Sequence, residues 1–150
     1  MKWLAYLLCF LSMATSSAAE SLYAVVTEDD FDDVKSVILE GIAAQGMSLS
    51  HVSDIGVMLD RTGKDLGYKQ RVYGKAVAIE FCSAYYSRKM MAADPNNIRF
   101  CPFKISIYTL PKAAEQIYIV YNLPEVDVTA NPWLPEFASI MQEIVAKAVE

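Results

Sequence analysis

Residues 79–108 read IEFCSAYYSRKMMAADPNNIRFCPFKISIY and combine a strand, a helix and a second strand. In the run KAVAIEFC, which overlaps its start, side chains alternate between two faces with the period of two that is typical of a strand. Ser83 is a favourable helix N-cap, and Pro95 interrupts the helical pattern after Asp94. The segment therefore predicts a strand that passes directly into a helix, followed by a return strand.

The return strand is predicted over IRFCPFKISIYTL, which has an apolar side and an outward side with Lys104 and Ser106. The apolar side comprises Cys101, Phe103, Ile105 and Ile107. Because Pro102 has no amide hydrogen to donate, we expect a sheet edge or a bulge at that position. The short reversal PKAAE and the β-rich run QIYIVYNL then predict a hairpin with the next strand.

The first half of the chain predicts two further strands and two helices. SLYAVVT is a strand, and the acidic cluster after it caps a helix that ends at Gly46. The apolar stripe of this helix comprises Phe31, Val34, Ile38 and Ile42. MSLSHVSDI is a second strand, and its alternation places Met47, Leu49 and His51 on one side. Ser53 caps a short helix ended by Gly63, and a polar loop follows.

The C-terminal helix is predicted at about residues 132–149, capped by Asn131, and it packs on the sheet or on a partner. Its stripe comprises Phe137, Ile140, Met141, Ile144, Val145, Ala148 and Val149. The whole pattern predicts a single α+β domain in the order β-α-β-α-β-α-β-β-α. Its helices pack on one face of a mixed or antiparallel sheet.

The first nineteen residues have the layout of a secretory signal peptide. Lys2 precedes an apolar block, and the small-residue run ATSSAAE predicts cleavage after Ala19. This leaves a domain over residues 20–150 that we expect to be periplasmic or secreted, with no membrane attachment after cleavage. The mature chain would keep two of the three cysteines, in a compartment where disulfides persist.

Composition and motifs exclude several classes of function. The formal net charge is −5 and no basic run is present, so nucleic acid is a poor candidate partner. The familiar nucleophile, phosphate-loop and zinc motifs are absent, and the single histidine, His51, is better explained as a structural residue than as a metal ligand. Apart from the two cysteines discussed below, the sequence predicts no metal site; it identifies no particular cofactor, and it favours a binding function over catalysis.

The two remaining cysteines are the best candidates for a site. Cys82 ends a strand at the head of a helix, where amide groups and the helix dipole favour a thiolate or a bound anion. Cys101 has the opposite strand parity, which argues against simple pairing in a regular sheet, although an antiparallel arrangement or a bulge would bring the two together. A disulfide, two separate structural cysteines, and a functional thiol or metal-binding pair all stay open. The candidate ligand-binding residues are Cys82, Ser83, Tyr85, Arg88 and Cys101.

The arrangement at about residues 27–123 resembles the domain-of-unknown-function family three hundred and two. The resemblance is carried, in order, by GIAAQGM, SDIGVMLDRTG, AIEFCSAYYSRKMMAADP and RFCPFKISIYTL. Here Cys82 is followed by Ser83 and Ala84 where the family often has Cys-x-Pro, and Cys101-Pro102 stands where it usually has Pro-Cys. The resemblance implies a small α+β fold, often dimeric, with no established activity.

Three functional hypotheses follow. The first is non-enzymatic binding of a small molecule or a protein partner around Cys82. The second is thiol redox chemistry, or binding of a soft metal such as copper, by Cys82 and Cys101. The third is an assembly module, for example a homodimer, in which the C-terminal helix buries its stripe between subunits.

Overall fold

The computed structural model describes the backbone from residue 21 and the side chains from residue 24 to residue 150. The predicted signal peptide, with its cleavage after Ala19, lies outside the described residues. The elements in chain order are β1 (Ser21–Thr27), α1 (Phe31–Ala44), β2 (Ser48–Asp54), α2 (Ile55–Asp65), β3 (Ala76–Cys82), α3 (Ala84–Ala93), a 3-10 helix (Pro95–Phe100), β4 (Phe103–Leu110), β5 (Ala113–Leu123) and α4 (Leu134–Lys147). The predicted single α+β domain and its order of elements are confirmed.

One five-stranded sheet has the order β1-β5-β4-β3-β2, and every neighbouring pair is antiparallel. The predicted hairpin of β4 and β5 is confirmed by the pairing of Ile107 with Ile119 and of Tyr108 with Tyr118. Strands β3 and β4 are separated in sequence by α3 and pair antiparallel. The last residues of β3 therefore lie beside the first residues of β4.

The core lies between one face of the sheet and three helices. Inward side chains of the central strands, such as Ile79 and Ile105, are completely buried. The helical side chains that cover them come from α1, α3 and α4: Phe31, Val34, Ile38, Ile42, Tyr86, Met90, Phe137, Met141, Ile144 and Val145. The stripe of α4 therefore packs within its own domain, and the homodimer stays a prediction.

The start of α4 differs from the prediction. Trp133 occupies the N-cap position, and Asn131 instead stabilises the preceding turn. The Asn131 amide donates to the carbonyl of Asp127 at 2.9 Å and accepts from the Trp133 indole nitrogen at 3.2 Å. Because its amide is used in this way, the helix begins at Leu134.

Among residues 21–150, no helix has the length and apolar character needed to cross a membrane.

Helix α2 is capped by Asp54 and not by Ser53, since the Asp54 carboxylate accepts from the amide of Val57 at 2.8 Å. The predicted end at Gly63 is also wrong, because Gly63 lies inside the helix and Gly67 closes it with a φ of +81°. In β2, the register shifts between Leu49 and His51, so these side chains are exposed instead of sharing the buried side of Met47.

The expectation of an edge or bulge at Pro102 is wrong for a simple reason. Strand β4 is central, between β5 and β3, and it begins at Phe103. Pro102 precedes the strand, so its missing amide hydrogen is not needed in the ladder. The predicted start of this strand at Ile98 falls in the 3-10 helix.

Candidate thiol site

The antiparallel pairing of β3 and β4 brings Cys82 and Cys101 together. Cys82 is the last residue of β3, and Cys101 lies two residues before β4 begins. Their sulfur atoms are 3.5 Å apart, and both side chains are half-buried. Because Cys101 precedes the strand, the difference in strand parity does not keep the two residues apart.

The two cysteines are free thiols and not a disulfide. A disulfide would require a sulfur–sulfur distance of about 2.05 Å, so the sulfurs would have to approach by roughly 1.5 Å. At 3.5 Å one thiol is hydrogen-bonded to the other. The arrangement is a reduced dithiol whose members are already in contact.

Two serine hydroxyl groups flank the pair. The hydroxyl of Ser50 donates to the sulfur of Cys82 at 3.4 Å, and the hydroxyl of Ser87 lies 3.7 Å from the sulfur of Cys101. Neither serine was among the predicted site residues. Ser87 could have been found because it lies one helical turn after Ser83, whereas Ser50 could not, since its position depends on the pairing of β2 with β3.

The first turn of α3 is fixed beside the thiols, as the sequence predicts. Ser83 is the N-cap, and its side chain accepts from the amide of Tyr86 at 3.3 Å. Ser83 itself is buried, and the ring of Tyr86 enters the core. These contacts position Cys82, which directly precedes the cap.

Tyr85 and Arg88 lie on the exposed side of α3. The ring of Tyr85 is 53% exposed, and the ammonium group of Lys89 lies 4.1 Å from its centroid. The five candidate residues thus divide into two groups. Cys82 and Cys101 are in contact beside the Ser83 cap, and Tyr85 and Arg88 form an adjoining surface.

The environment of Cys101 favours its protonated form. Burial raises the pKa of the Cys101 thiol above its ordinary value, and the hydrogen bond shared with Cys82 raises it as well. The hydroxyl of Ser87 acts in the opposite direction. The Cys101 thiol therefore stays protonated to a higher pH than a thiol in water.

Acidic, histidine and cysteine side chains between residues 21 and 150 form no group of three or more that could hold a metal ion. His51 is exposed and lies on the bulged part of β2. Any metal bound at the thiol site would therefore depend on the two sulfurs.

The comparison with protein families bears on the whole domain. The family described as "Domain of unknown function DUF302" matches residues 23–150. This chain belongs to the DUF302 family. The match extends beyond the region 27–123 that carried the resemblance in the sequence, and it includes α4.

A solved DUF302 structure has the same fold. It is titled as an uncharacterized conserved protein DUF302 from Bacillus stearothermophilus, and it superposes with a TM-score of 0.61 at 16% identity. The comparison covers 85% of this chain and 94% of that one. At this identity the likeness supports the fold alone. A search of curated proteins found no match.

Proposed function

We propose that this DUF302 domain exchanges its Cys82–Cys101 dithiol with the disulfide of a small-molecule or protein partner. The observation that carries the proposal is the 3.5 Å contact between the two sulfurs on a half-buried surface. Two thiols so close can close into a disulfide with a local movement of about 1.5 Å. Binding of a partner at Cys82, the first hypothesis from the sequence, then becomes the docking step of the exchange.

The reaction balances with a disulfide R–S–S–R′ as the oxidant. Cys82 loses its proton and attacks one sulfur of the partner, the partner S–S bond breaks, and R′S⁻ leaves and takes up a proton. Cys101 then loses its proton and attacks the Cys82 sulfur, which releases RS⁻. The domain gives up two electrons and two protons, and the partner becomes two thiols.

The environment of Cys101 supports this order of attack. A raised pKa leaves little of Cys101 as the reactive thiolate at neutral pH, which favours Cys82 as the entering thiol. Cys101 is already in contact with the Cys82 sulfur, where a resolving thiol has to be. Tyr85 and Arg88 lie on the exposed side of α3, where a partner can bind beside Cys82.

The predicted export of the domain is consistent with this role. A signal peptide over residues 1–19 would carry the domain to a compartment in which disulfides form and persist. In such a compartment, a dithiol meets disulfide partners that are scarce in the reducing cytosol.

The test treats the reduced protein with glutathione disulfide over a range of thiol-to-disulfide ratios. We expect the domain to lose two hydrogens, with peptide mapping that joins Cys82 to Cys101. Cys101→Ser should accumulate a mixed disulfide on Cys82, whereas Cys82→Ser should react more slowly. Remaining thiols are alkylated before the peptide mapping. If every cysteine is found alkylated or glutathionylated, with no Cys82–Cys101 bond at any ratio, the proposal is overturned.

A second candidate function is binding of a soft metal ion such as copper(I) between the same sulfurs. Thiolates select soft ions, and a separation of 3.5 Å lets both sulfurs contact one ion. Titration of the reduced protein with copper(I) should then give one ion per chain, and either cysteine-to-serine substitution should remove it. Unchanged binding in both variants would exclude this candidate without affecting the exchange proposal.

A further inference from the structure

Helix α2 and the segment that follows it together line a cleft. It encloses about 500 Å³ between the second half of α2 and residues 66–72. This volume is within the range of about 300–1,000 Å³ that is usual for small-molecule sites. The segment was predicted to be a polar loop, but it presents several apolar side chains to the cleft.

Contacts at two places join the segment to helix α2 and to the loop before β3. At one end Gly67, with a φ of +81°, turns the chain so that the amide of Tyr68 donates to the carbonyl of Gly63 at 2.9 Å. At the other end Arg71 forms an ion pair with Asp60 at 2.6 Å and donates to the carbonyl of Gly74 at 2.9 Å. These contacts attach the segment to α2 at two points.

The walls of the cleft are apolar and unusually exposed. Leu66 is 72% exposed, Tyr68 71% and Val72 56%, and Leu59 lines the cleft from the helix. Large apolar side chains grouped in this way often mark a binding surface. The concave shape between a helix and a loop suits a small molecule better than a flat membrane.

The charge around the cleft is opposite to that of the chain. The residues that line the cleft include three basic side chains and one acidic side chain, a net charge of +2, in a protein whose net charge is −5. Within the cleft, Arg71 neutralises Asp60, and Lys64 and Lys69 add two exposed positive charges beside the apolar walls. An anionic head group with an apolar body complements both features.

We propose that this cleft binds a small amphipathic carboxylate, with its apolar body against Leu66, Tyr68 and Val72 and its carboxylate between Lys64 and Lys69. The site is independent of the thiols, so it stands or falls separately from disulfide exchange. Each methylene buried in the cleft should tighten binding about fourfold until the cleft is filled.

Calorimetric titration with octanoate and decanoate, below the concentrations at which they form micelles, tests the inference. Decanoate should bind more tightly than octanoate, and decyltrimethylammonium should bind more weakly than decanoate. The double substitution Lys64→Gln with Lys69→Gln should remove the preference for the anion, and Leu66→Ser should reduce the gain from chain length. Lys112→Gln, at an exposed turn between β4 and β5, is the matched control and should change neither.

Several outcomes of these titrations would overturn the inference. They are the absence of saturable decanoate binding, equal binding of the cationic amphiphile, and equal weakening by Lys112→Gln. Binding of anionic lipid vesicles without binding of the free carboxylates would also overturn it, because that result would assign the cleft to a membrane surface.

Discussion

The hydroxyl of Ser87 lies 3.7 Å from the sulfur of Cys101, one helical turn after the serine that caps α3. This contact lowers the pKa of a thiol that burial raises. Helix α3 therefore contributes to the thiol pair in two ways. Its N-terminus positions Cys82, and its Ser87 hydroxyl opposes the rise in the pKa of Cys101 that burial causes.

We expect Ser87→Ala to raise the pKa of Cys101 further. The thiolate reacts with iodoacetamide and the thiol does not, so alkylation of Cys101 at pH 8 should slow in the variant. The pH at which the alkylation rate reaches half its maximum should move upward. Rates for Cys101 and Cys82, separated by peptide mapping, check this prediction. Ser36→Ala, on the exposed surface of α1, is the control, and an identical pH profile for Ser87→Ala would contradict the argument.

The sequence predicted the elements of the fold better than it predicted their contacts. Alternation along β3 and the Ser83 cap of α3 are local patterns, and both were read correctly from the residues themselves. The contact between Cys82 and Cys101 was left open, because it depends on β4 returning antiparallel beside β3. That choice is made by the whole sheet, and no spacing within one segment determines it.

The errors at helix ends have a different origin. Ser53 and Asp54 are both good N-caps, and the sequence offers them side by side. The Asp54 carboxylate reaches the amide of Val57, and this contact depends on where β2 ends. At α4, Asn131 is also a favourable cap, but its amide is used in the turn with Asp127 and Trp133. Competing local hydrogen bonds therefore moved both helix starts.

The cap of α2 leads to a stability prediction. Asp54→Ala should lower the free energy of unfolding by about 1 kcal/mol, because the amide of Val57 loses its acceptor. Ser53→Ala, one residue earlier, should change it by less than about 0.5 kcal/mol. Urea denaturation of both variants measures the difference. Asp54→Asn should recover most of the loss. A larger loss of stability in Ser53→Ala than in Asp54→Ala would instead assign the cap to Ser53, as predicted from the sequence.

Two glycines near the cleft should respond oppositely to substitution by alanine. A Cβ at Gly63 would lie 3.9 Å from the Cβ of Tyr68, an ordinary contact, so Gly63→Ala should stabilise the helix by about 0.5–1 kcal/mol. Gly67 has open space around it but a φ of +81°, so Gly67→Ala should destabilise the domain by about 1 kcal/mol through the backbone alone. Thermal and urea denaturation report both changes. Stabilisation by Gly67→Ala would show that the turn at Gly67 is not left-handed in solution, and destabilisation by Gly63→Ala would contradict the free space at that helical position.

The hydroxyl of Tyr86 makes the domain sensitive to alkaline pH. Burial raises the pKa of Tyr86 to about 12 from 10.0, and a hydrogen bond to Glu136 and the charge of Glu136 add to the shift. Because the folded pKa is above the unfolded one, its contribution to stability is fully present below pH 10 and is lost as the pH rises through about 12. The free energy of unfolding should therefore fall with pH in this window.

Tyr86→Phe removes the ionisable group and keeps the ring, whose centroid lies 5.1 Å from that of Phe137. At pH 7 the variant should lose about 1 kcal/mol with the hydrogen bond to Glu136. Its stability should decline less steeply than that of the wild type between pH 10 and pH 11. Tyr68→Phe, on the exposed wall of the cleft, is the control, and urea denaturation at several pH values gives the slopes. If Tyr86→Phe declines as steeply as the wild type, then the Tyr86 hydroxyl ionises in the folded domain as readily as it does in the unfolded chain.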